Sequence, residues 1–369
     1  MNLLPNGGRC FMSSASTRKI GLIGRVDRSK TLFDGQTVKT RMMFRLLAES
    51  FGVDRVYVVD TKDYKQQPVS VTAAVVKCLL SCDDIFVLLS NNGRRLLFPI
   101  LAWAARIRGV RIYHNLIGGW LASDIDDDRS IVRSINQFQV NWVESRQLKT
   151  RLEQQGVTNV DFLPNFKYLD IPERAKRGGI GPDYRFCTFS RVTEKKGITD
   201  AIKAMQEVAS SYQAGTVSLD IYGPIDEDYE REFNSLVKES PFARYCGCVD
   251  PEKSACVIGR YDALLFPTKW RLEGMPGTII DALVAGTPVI ASRWQYYDEM
   301  LEDRKTGLSY EFGAQDMLAE TIMDFIKLGD AAVELRAGCL EKAEQYSPHV
   351  VRKIIIDEMN KKDDNDGKE

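Results

Sequence analysis

The stretch YDALLFPTKWRLEGMPGTIIDALVAGTPVIAS, residues 261–292, decides the fold. Residues 263–266 are a short apolar run, which predicts a buried strand of a parallel sheet. A polar loop carrying Glu273 follows, and residues 274–277 then open a helix that ends at Gly286 before the next apolar run. Strand, loop, helix and strand in this order are the repeating unit of an α/β domain.

The glycine-rich loop before this helix predicts an anion site. The first amide groups of a helix have no partner inside the helix, and the helix dipole favours negative charge beside them. The residues expected to bind a phosphate or another anion are Gly274, Met275, Pro276, Gly277 and Thr278.

Length and composition indicate a soluble protein of two domains. A chain of 369 residues exceeds what one hydrophobic core usually serves, and its 44% hydrophobic and 27% charged residues are ordinary for a globular protein. The formal net charge of −1 argues against general nucleic-acid binding. Residues 1–17 lack the apolar core of a signal peptide, and no segment reaches the ~20 apolar residues that cross a bilayer.

The eight cysteines are scattered rather than arranged as a disulfide framework, which favours a reduced, cytoplasmic compartment. Cys246, Cys248 and Cys256 lie close in sequence, but neither a CxxC motif nor a nearby histidine completes a set of four zinc ligands. We therefore expect no metal site.

Predicted strands and helices alternate along both halves of the chain, which indicates two parallel, doubly wound sheets with ligands beyond the carboxyl ends of the strands. In the first half, a helix is predicted from Gly35 to about residue 50 and a buried helix over residues 96–107. His114 follows a predicted strand and precedes a Gly-Gly pair. It either contacts the transferred group or the acceptor, or is a hydrogen-bonded structural histidine.

A polar segment rich in proline, glycine and charge begins after Tyr168 and marks the domain boundary. The expected divisions are a flexible N-terminus (1–17), an N-terminal Rossmann-like domain (18–170), a linker (171–183), a C-terminal Rossmann-like domain (184–347), a C-terminal helix that crosses back to the first domain (348–360) and a disordered tail (361–369).

Seven motifs follow one another in the second half: Ser190-Arg191, Lys196-Gly197, Ile221-Tyr222-Gly223, Gly247-Cys248-Val249, Pro267, Glu273-Gly274 and the run 282–292. Their order resembles the C-terminal half of the retaining glycosyltransferases of family 4, which have the two-domain GT-B fold. In the first half the resemblance is looser, and it rests on Gly35-Gln36-Thr37, His114 and Pro164-Asn165.

The resemblance implies a donor site for a nucleoside-diphosphate sugar, linked to UDP or GDP. Arg191 and Lys196 would bind the diphosphate, and Gly35 and Gly223 would lie against the donor. Cations of these two kinds suit the charge that grows on a leaving diphosphate. The alternative for this pair is two solvated surface cations.

Two acidic residues separated by seven others also match the family pattern. By resemblance Glu273 contacts hydroxyls of the donor sugar and Asp281 the ribose hydroxyls, although Asp281 stands where the family usually has a second glutamate. Glu273 could instead be a plain loop carboxylate. Thr278 and Asp281 have the spacing of a capping box, which is the structural alternative for Asp281.

The expected activity is that of a retaining, metal-independent glycosyltransferase without a cofactor. It would move a sugar to a hydroxyl of a glycan or lipid-linked saccharide, in bacterial cell-surface polysaccharide synthesis. His114, Arg191, Lys196 and Glu273 are the predicted catalytic residues. The alternative is a non-catalytic subunit that binds a nucleotide sugar or serves polysaccharide assembly.

Two further patterns need an interpretation. Residues 123–128 contain Asp-x-Asp, which some glycosyltransferases of another fold use to hold manganese, but an acidic run is more typical of a solvated loop. The basic residues near the N-terminus predict either a solvated face or contact with the anionic inner face of the cell membrane. They are Arg18, Lys19, Arg25, Arg28, Lys30, Lys39, Arg41 and Arg45.

Overall fold

The computed structural model describes residues 18–29, 32, 34–118, 121–169, 183–213 and 215–361. The predicted flexible N-terminus, all of the predicted linker except Asp183 and all of the predicted tail except Lys361 lie outside these ranges. None of the helices in the described ranges combines the length and the apolar character that crossing a bilayer requires.

The first half of the chain forms a six-stranded parallel sheet in the order β2-β1-β3-β4-β5-β6. Its strands are β1 Ile20–Gly24, β2 Val56–Asp60, β3 Asp84–Leu88, β4 Arg111–Asn115, β5 Val140–Val143 and β6 Val160–Phe162. Its helices are α1 Gly35–Phe51, α2 Pro68–Ser81, α3 Asn91–Arg108, α4 Leu121–Asp127, α5 Ser130–Ile135 and α6 Arg146–Gln154.

The second half forms another six-stranded parallel sheet, in the order β12-β11-β10-β7-β8-β9. Its strands are β7 Tyr184–Phe189, β8 Val217–Tyr222, β9 Ala243–Gly247, β10 Ala263–Phe266, β11 Val289–Ser292 and β12 Gly307–Tyr310. Its helices are α7 Ile198–Ser210, α8 Glu230–Glu239, α9 Ser254–Ile258, α10 Gly277–Val284, α11 Tyr297–Met300, α12 Met317–Lys327 and α13 Ala332–Ala343. The predicted α/β class with two parallel sheets is confirmed.

Each sheet is covered on both faces, because right-handed crossovers place successive helices on opposite sides whenever the strand order reverses. In the first sheet, α2 and α3 share one apolar core and α1 packs on the other face. The last helix, α14 Pro348–Met359, joins the α1 face through Val351 and Ile355. The Arg111 guanidinium donates to the Met359 carbonyl at 2.9 Å, which ties the end of the described chain to the first sheet.

One expectation for the first half is wrong, and one helix carried no prediction. Helix α2 begins at Pro68, at a position where the missing N–H of proline costs nothing. The helix predicted as buried over residues 96–107 is α3, and one face of it is open to solvent: Trp103 is 63% exposed and Ile107 62%.

Candidate active site

Two loops meet at the point where the strand order of the second sheet reverses. Strand β7 lies beside both β8 and β10, so the loops that follow β7 and β10 leave the same edge of the sheet in opposite directions. A crevice opens between such loops, and in open α/β sheets ligands bind there. Arg191 and Lys196 follow β7, and Glu273 follows β10.

Lys196 and Glu273 form an ion pair between these loops. The side chain of Lys196 is 24% exposed and that of Glu273 15%, so the pair lies partly screened from water. Thr268 donates to the same carboxylate at 3.3 Å. Arg191 is exposed, and among the described residues it has no ion-pair partner. In the crevice the charge of Lys196 is therefore balanced by Glu273, whereas the charge of Arg191 is not balanced by a described carboxylate.

Two glycines allow the loop after β7 to approach the loops after β10 and β8. Gly197 has φ of +71°, and a Cβ atom there would lie 1.9 Å from the Pro267 carbonyl oxygen. Gly223 has φ of +131°, and a Cβ atom there would lie 1.8 Å from the Ser190 carbonyl oxygen. Only glycine fits both the backbone conformation and the space at either position. The predicted donor residue Gly223 thus has a structural task beside any contact with a ligand.

The glycine-rich loop faces the first domain. An added Cβ atom on Gly274 would be 3.6 Å from the Gly118 Cα atom and 3.7 Å from a carboxylate oxygen of Glu144. The Asn165 amide donates to the Met275 carbonyl at 3.1 Å. Met275 and Pro276 therefore lie directly between the two halves of the chain, at the N-terminus of α10.

Asp281 is engaged by a residue that the sequence did not single out. The ammonium group of Lys167 lies 2.6 Å from each carboxylate oxygen of Asp281, and the aspartate is buried. Burial raises the pKa of Asp281, and the charge of Lys167 opposes that shift. Gly277 leaves room for this lysine, because a Cβ atom there would approach the Lys167 Cε atom to 3.0 Å.

This contact corrects the structural interpretation of Asp281. No side chain caps α10, whose N-cap is Pro276, and the Thr278 hydroxyl is buried without a hydrogen-bond partner. The capping box predicted from Thr278 and Asp281 is therefore wrong. The ribose contact stays a prediction, and Asp281 can make it only by sharing or leaving Lys167.

A second buried ion pair lies across from the glycine-rich loop. Lys39 on α1 donates to a Glu144 carboxylate oxygen at 2.7 Å and to the Leu116 carbonyl at 2.9 Å. Burial lowers the pKa of Lys39, and Glu144 opposes the shift. Glu144 follows β5, and the carboxylate oxygen that Lys39 does not bind is the one that faces Gly274.

The burial of His114 favours the structural alternative for this residue, and its catalytic role stays a prediction. It is fully buried within β4, between Phe98 and Phe138, and its Nδ1 lies 3.0 Å from the Asn141 side-chain oxygen. Burial, with the nearby Arg94 charge, lowers the pKa of His114 to about 3. In this structure the imidazole is closed off from solvent beneath α3, and its Nε2 atom has no hydrogen-bond partner among the described residues.

The remaining predicted residues lie at the edges of the cleft. Gly35 begins α1, where a Cβ atom would meet no neighbour within 4 Å, so the chain itself does not require glycine there. Asp34 caps the helix and pairs with Arg25. Lys39 and Arg41 also have internal carboxylate partners, which leaves the predicted basic N-terminal surface much less charged than its sequence suggests.

The Asp-x-Asp sequence lies on helix α4 rather than in a solvated loop. Asp124 pairs with the buried Arg94 at 2.7 Å, and Asp126 accepts from Arg151 at 2.7 Å. In the part of the chain that the structure describes, no three His, Cys, Asp or Glu residues are grouped so that they could hold a metal ion.

The same architecture of two parallel sheets occurs in solved structures of other proteins. HepE from Anabaena, solved with UDP-glucose, superposes with a TM-score of 0.71 at 15% identity, over 93% of this chain and 99% of that one. The fold is GT-B. TarM from Staphylococcus aureus shares the GT-B fold with a TM-score of 0.59 at 17% identity, over 75% of this chain and 54% of that one.

The sequence matches point the same way. Residues 170–346 match the family model described as glycosyl transferases group 1. A curated relative, the alpha-monoglucosyldiacylglycerol synthase of Streptococcus pneumoniae, is 23% identical over 220 residues, which are 58% of this chain and 48% of that protein. The chain thus spans about half the length of this relative.

Proposed function

We propose that this GT-B protein is a retaining, metal-independent glycosyltransferase of family 4. It would transfer a sugar from a nucleoside-diphosphate donor to a hydroxyl of a glycan or lipid-linked saccharide, in the synthesis of a bacterial cell-surface polysaccharide. The observation that carries the proposal is the Lys196–Glu273 pair at the strand-order reversal, with the exposed Arg191 on the same loop as Lys196. The match to the group 1 family model over the same half of the chain supports it.

Donor binding would exchange the partners of this pair. A diphosphate carries more charge than one carboxylate, so it would draw Lys196 away from Glu273 and add Arg191 as a second cation. Glu273 would then be available to accept hydrogen bonds from two neighbouring sugar hydroxyls. The amides at the start of α10 would complete the anion site.

The transfer step follows from this arrangement. The bond from the sugar C1 atom to the leaving phosphate oxygen breaks while the acceptor oxygen forms a bond to C1 on the same face. The acceptor proton passes to the leaving phosphate. Arg191 and Lys196 stabilise the negative charge that develops on the diphosphate, which is the part of the reaction where fixed cations contribute most.

The acceptor would approach from the first domain, and Glu144 is the side chain best placed to meet it. Its free carboxylate oxygen faces Gly274, the residue after Glu273. Lys39 donates to the other oxygen of this carboxylate, and it also donates to the Leu116 carbonyl, which fixes its position. Glu144 would therefore orient the attacking hydroxyl by accepting its hydrogen bond.

One observation favours the alternative of a non-catalytic nucleotide-sugar binding subunit: Asp281, the predicted ribose ligand, is occupied by Lys167. Incubation of the protein with UDP-glucose, and in a second experiment with GDP-mannose, distinguishes the two functions. An enzyme releases UDP or GDP from its donor, in transfer or in slow hydrolysis. A binding subunit shows only a rise in melting temperature with one donor. If the protein neither releases a nucleotide nor shows a thermal shift with any nucleotide sugar, the proposed donor site is refuted.

Activity that is lost with a chelator and returns with manganese would contradict the metal-independent part of the proposal. The proposed location is the cytoplasm, with contact to the inner face of the membrane. Since Arg25, Lys39 and Arg41 have internal partners, the predicted N-terminal basic set is a weak basis for that contact.

A further inference from the structure

We infer that the outer face of helices α2 and α3, called here the α2–α3 face, docks on an anionic lipid surface. Its members are Val69, Val76, Leu80, Leu96, Ile100, Trp103 and Ile107. Within the described ranges these are seven of the twelve large apolar side chains that are exposed. Such a concentration marks an interaction surface, because isolated apolar residues on a monomer are usually dispersed.

The α3 part of this face is a continuous helical stripe. Leu96, Ile100, Trp103 and Ile107 recur at intervals of four, three and four residues, which places them on one side of the helix. Phe98 and Leu101 on the opposite side are buried against the sheet. Helix α3 is therefore apolar on two sides, and only one of them has a partner in the fold.

Helix α2 extends the stripe sideways. Both helices pack on the same face of the first sheet, and the Arg108 guanidinium at the end of α3 donates to the Leu79 carbonyl at the end of α2. Val69 is 82% exposed, and together with Val76 and Leu80 it lines a shallow apolar groove along α2. The exposed apolar residues of both helices therefore lie on the same side of the first sheet.

The charged residues of α2 and α3 indicate which kind of partner this face binds. Helices α2 and α3 contain five basic residues and no acidic one: Lys77, Arg94, Arg95, Arg106 and Arg108. Arg94 is buried against Asp124, and the exposed Arg95 lies 4.0 Å from the same carboxylate. Lys77 and Arg106, in contrast, are exposed and have no ion-pair partner among the described residues. Apolar side chains bordered by basic ones, with an exposed tryptophan among them, match the boundary between acyl chains and anionic headgroups.

A symmetric contact with a second copy of the chain fits less well. In a two-fold interface the same patch meets itself, so Lys77 and Arg106 would face cations without an acidic residue of α2 or α3 to pair with them. Helices α2 and α3 begin just after the carboxyl ends of β2 and β3, the ends that border the cleft. Docking by this face would hold the cleft close to the lipid surface.

The inference extends the proposed function, but its test needs no catalysis. The full chain is sedimented with vesicles of phosphatidylglycerol and phosphatidylcholine in equal parts, and with vesicles of phosphatidylcholine alone. Binding to the mixed vesicles, with a blue shift of tryptophan emission that is absent in Trp103→Phe, is the expected result. Trp103→Ser with Ile107→Ser should weaken this binding by about tenfold or more, since two large apolar side chains leave the interface.

Matched controls lie in the second domain. Met317→Ser with Val333→Ser removes two exposed apolar residues from α12 and α13 and should leave vesicle binding unchanged. Arg106→Gln should weaken binding to the mixed vesicles, whereas Arg231→Gln, also exposed on a helix, should not. The thermal shift with UDP-glucose should stay as in the wild type in all of them, which keeps this test separate from that of the donor site.

Three results would overturn the inference. The first is a failure of the wild-type chain to bind mixed vesicles at low ionic strength. The second is unchanged binding by the Trp103→Ser, Ile107→Ser variant. The third is a dimer in light scattering that this variant dissociates while vesicle binding persists, which would assign the α2–α3 face to self-association.

Discussion

Lys196 carries a charge that Glu273 already compensates, whereas Arg191 on the same loop has no carboxylate partner in the described chain. If both cations meet the leaving diphosphate, Arg191→Ala and Lys196→Ala should each lower kcat/KM for the donor by about a hundredfold, the usual cost of removing one group that stabilises a developing negative charge. Initial rates of nucleotide release test this. Lys195→Ala, an exposed neighbour over the Trp270 ring, is the control.

A lower rate in Lys196→Ala can also result from a loss of stability, so rate and stability must be measured separately. Without Lys196 the Glu273 carboxylate loses its ion-pair partner, so the variant can also lose stability. Lys196→Ala with Glu273→Gln removes both charges and should recover stability but not rate. Near wild-type turnover in either single cation variant would refute the phosphate assignment.

The Lys167–Asp281 pair should behave as a buried ion pair. Lys167→Ala leaves a buried carboxylate without its cation, and the free energy of unfolding should fall by about 3 kcal/mol. Adding Asp281→Leu should recover much of that loss, because the second change removes the stranded charge. Urea unfolding of both single variants and the double variant gives the coupling between them. Strictly additive losses would show that the contact contributes nothing specific.

Burial of His114 predicts a pH dependence of stability. Its pKa is lowered to about 3 in the folded chain, against about 6.5 when it is unfolded, so the unfolded state binds the proton first as pH falls. Stability attributable to His114 is fully present above pH 6.5, and it is lost by up to about 1.4 kcal/mol per pH unit between 6.5 and 3. Urea midpoints between pH 7.5 and 5 should fall less steeply in His114→Gln. The exposed His349 provides the control His349→Gln.

Side-chain types at strand ends could be predicted for the cleft, but their pairings could not. Arg191, Lys196 and Glu273 were identifiable because they match the motifs of a known family and each follows a predicted strand, and the structure brings the last two together. Lys39, Glu144 and Lys167 carried no motif. Their importance comes from burial and from partners 105 and 114 residues away, which sequence spacing does not encode.

At the scale of single elements, helix α6 shows how the two domains depend on each other. Its N-terminus receives a carboxylate from the other domain: Glu299 accepts from the Ser145 hydroxyl at 2.6 Å and from the Arg146 amide at 2.6 Å. An anion at a helix N-terminus is stabilising because it meets unpaired amides and the positive end of the dipole.

Glu299→Ala should therefore lower the free energy of unfolding by about 1–2 kcal/mol, as the loss of a good helix cap does. Asp298→Ala, an exposed neighbour on α11, should change it by less than about 0.5 kcal/mol. Chemical unfolding followed by circular dichroism measures both. Equal stability of the two variants would show that the contact is not formed in solution.

Elements were predictable where the hydrophobic pattern and the burial agree. Strand β10 has the predicted bounds, because an apolar run between turn residues allows little else. Helix α3 was wrongly expected to be buried, since its sequence is apolar on two sides and only one side packs on the sheet. Composition shows that a helix has apolar faces, but it does not show which of them has a partner in the fold.

At the scale of the whole molecule, the polar links between the domains cluster on one flank. Asn165 to the Met275 carbonyl, Lys167 to Asp281 and Glu299 to α6 all start near the carboxyl ends of β5 and β6. At the opposite edge, a cavity of about 550 Å³ separates α1 and β2 from residues 250–252. Two parallel sheets were predictable from alternation alone. The strand orders were not predictable, because the alternation of strands and helices does not determine on which side of the first strand each crossover places the next one.

This one-sided linkage predicts how the domains protect a bound donor from water. Closing a cleft over the donor limits its hydrolysis, and the Asn165 amide holds the glycine-rich loop to the first domain at the point where the donor would lie. One neutral hydrogen bond contributes about 1 kcal/mol, or roughly fivefold in an equilibrium between open and closed forms. Asn165→Ala should therefore raise the ratio of donor hydrolysis to transfer severalfold while donor binding changes little. Chromatography of free sugar and glycosylated product measures the ratio, and Asn234→Ala, exposed on α8, is the control. An unchanged ratio in Asn165→Ala would mean that this link does not control access of water to the donor.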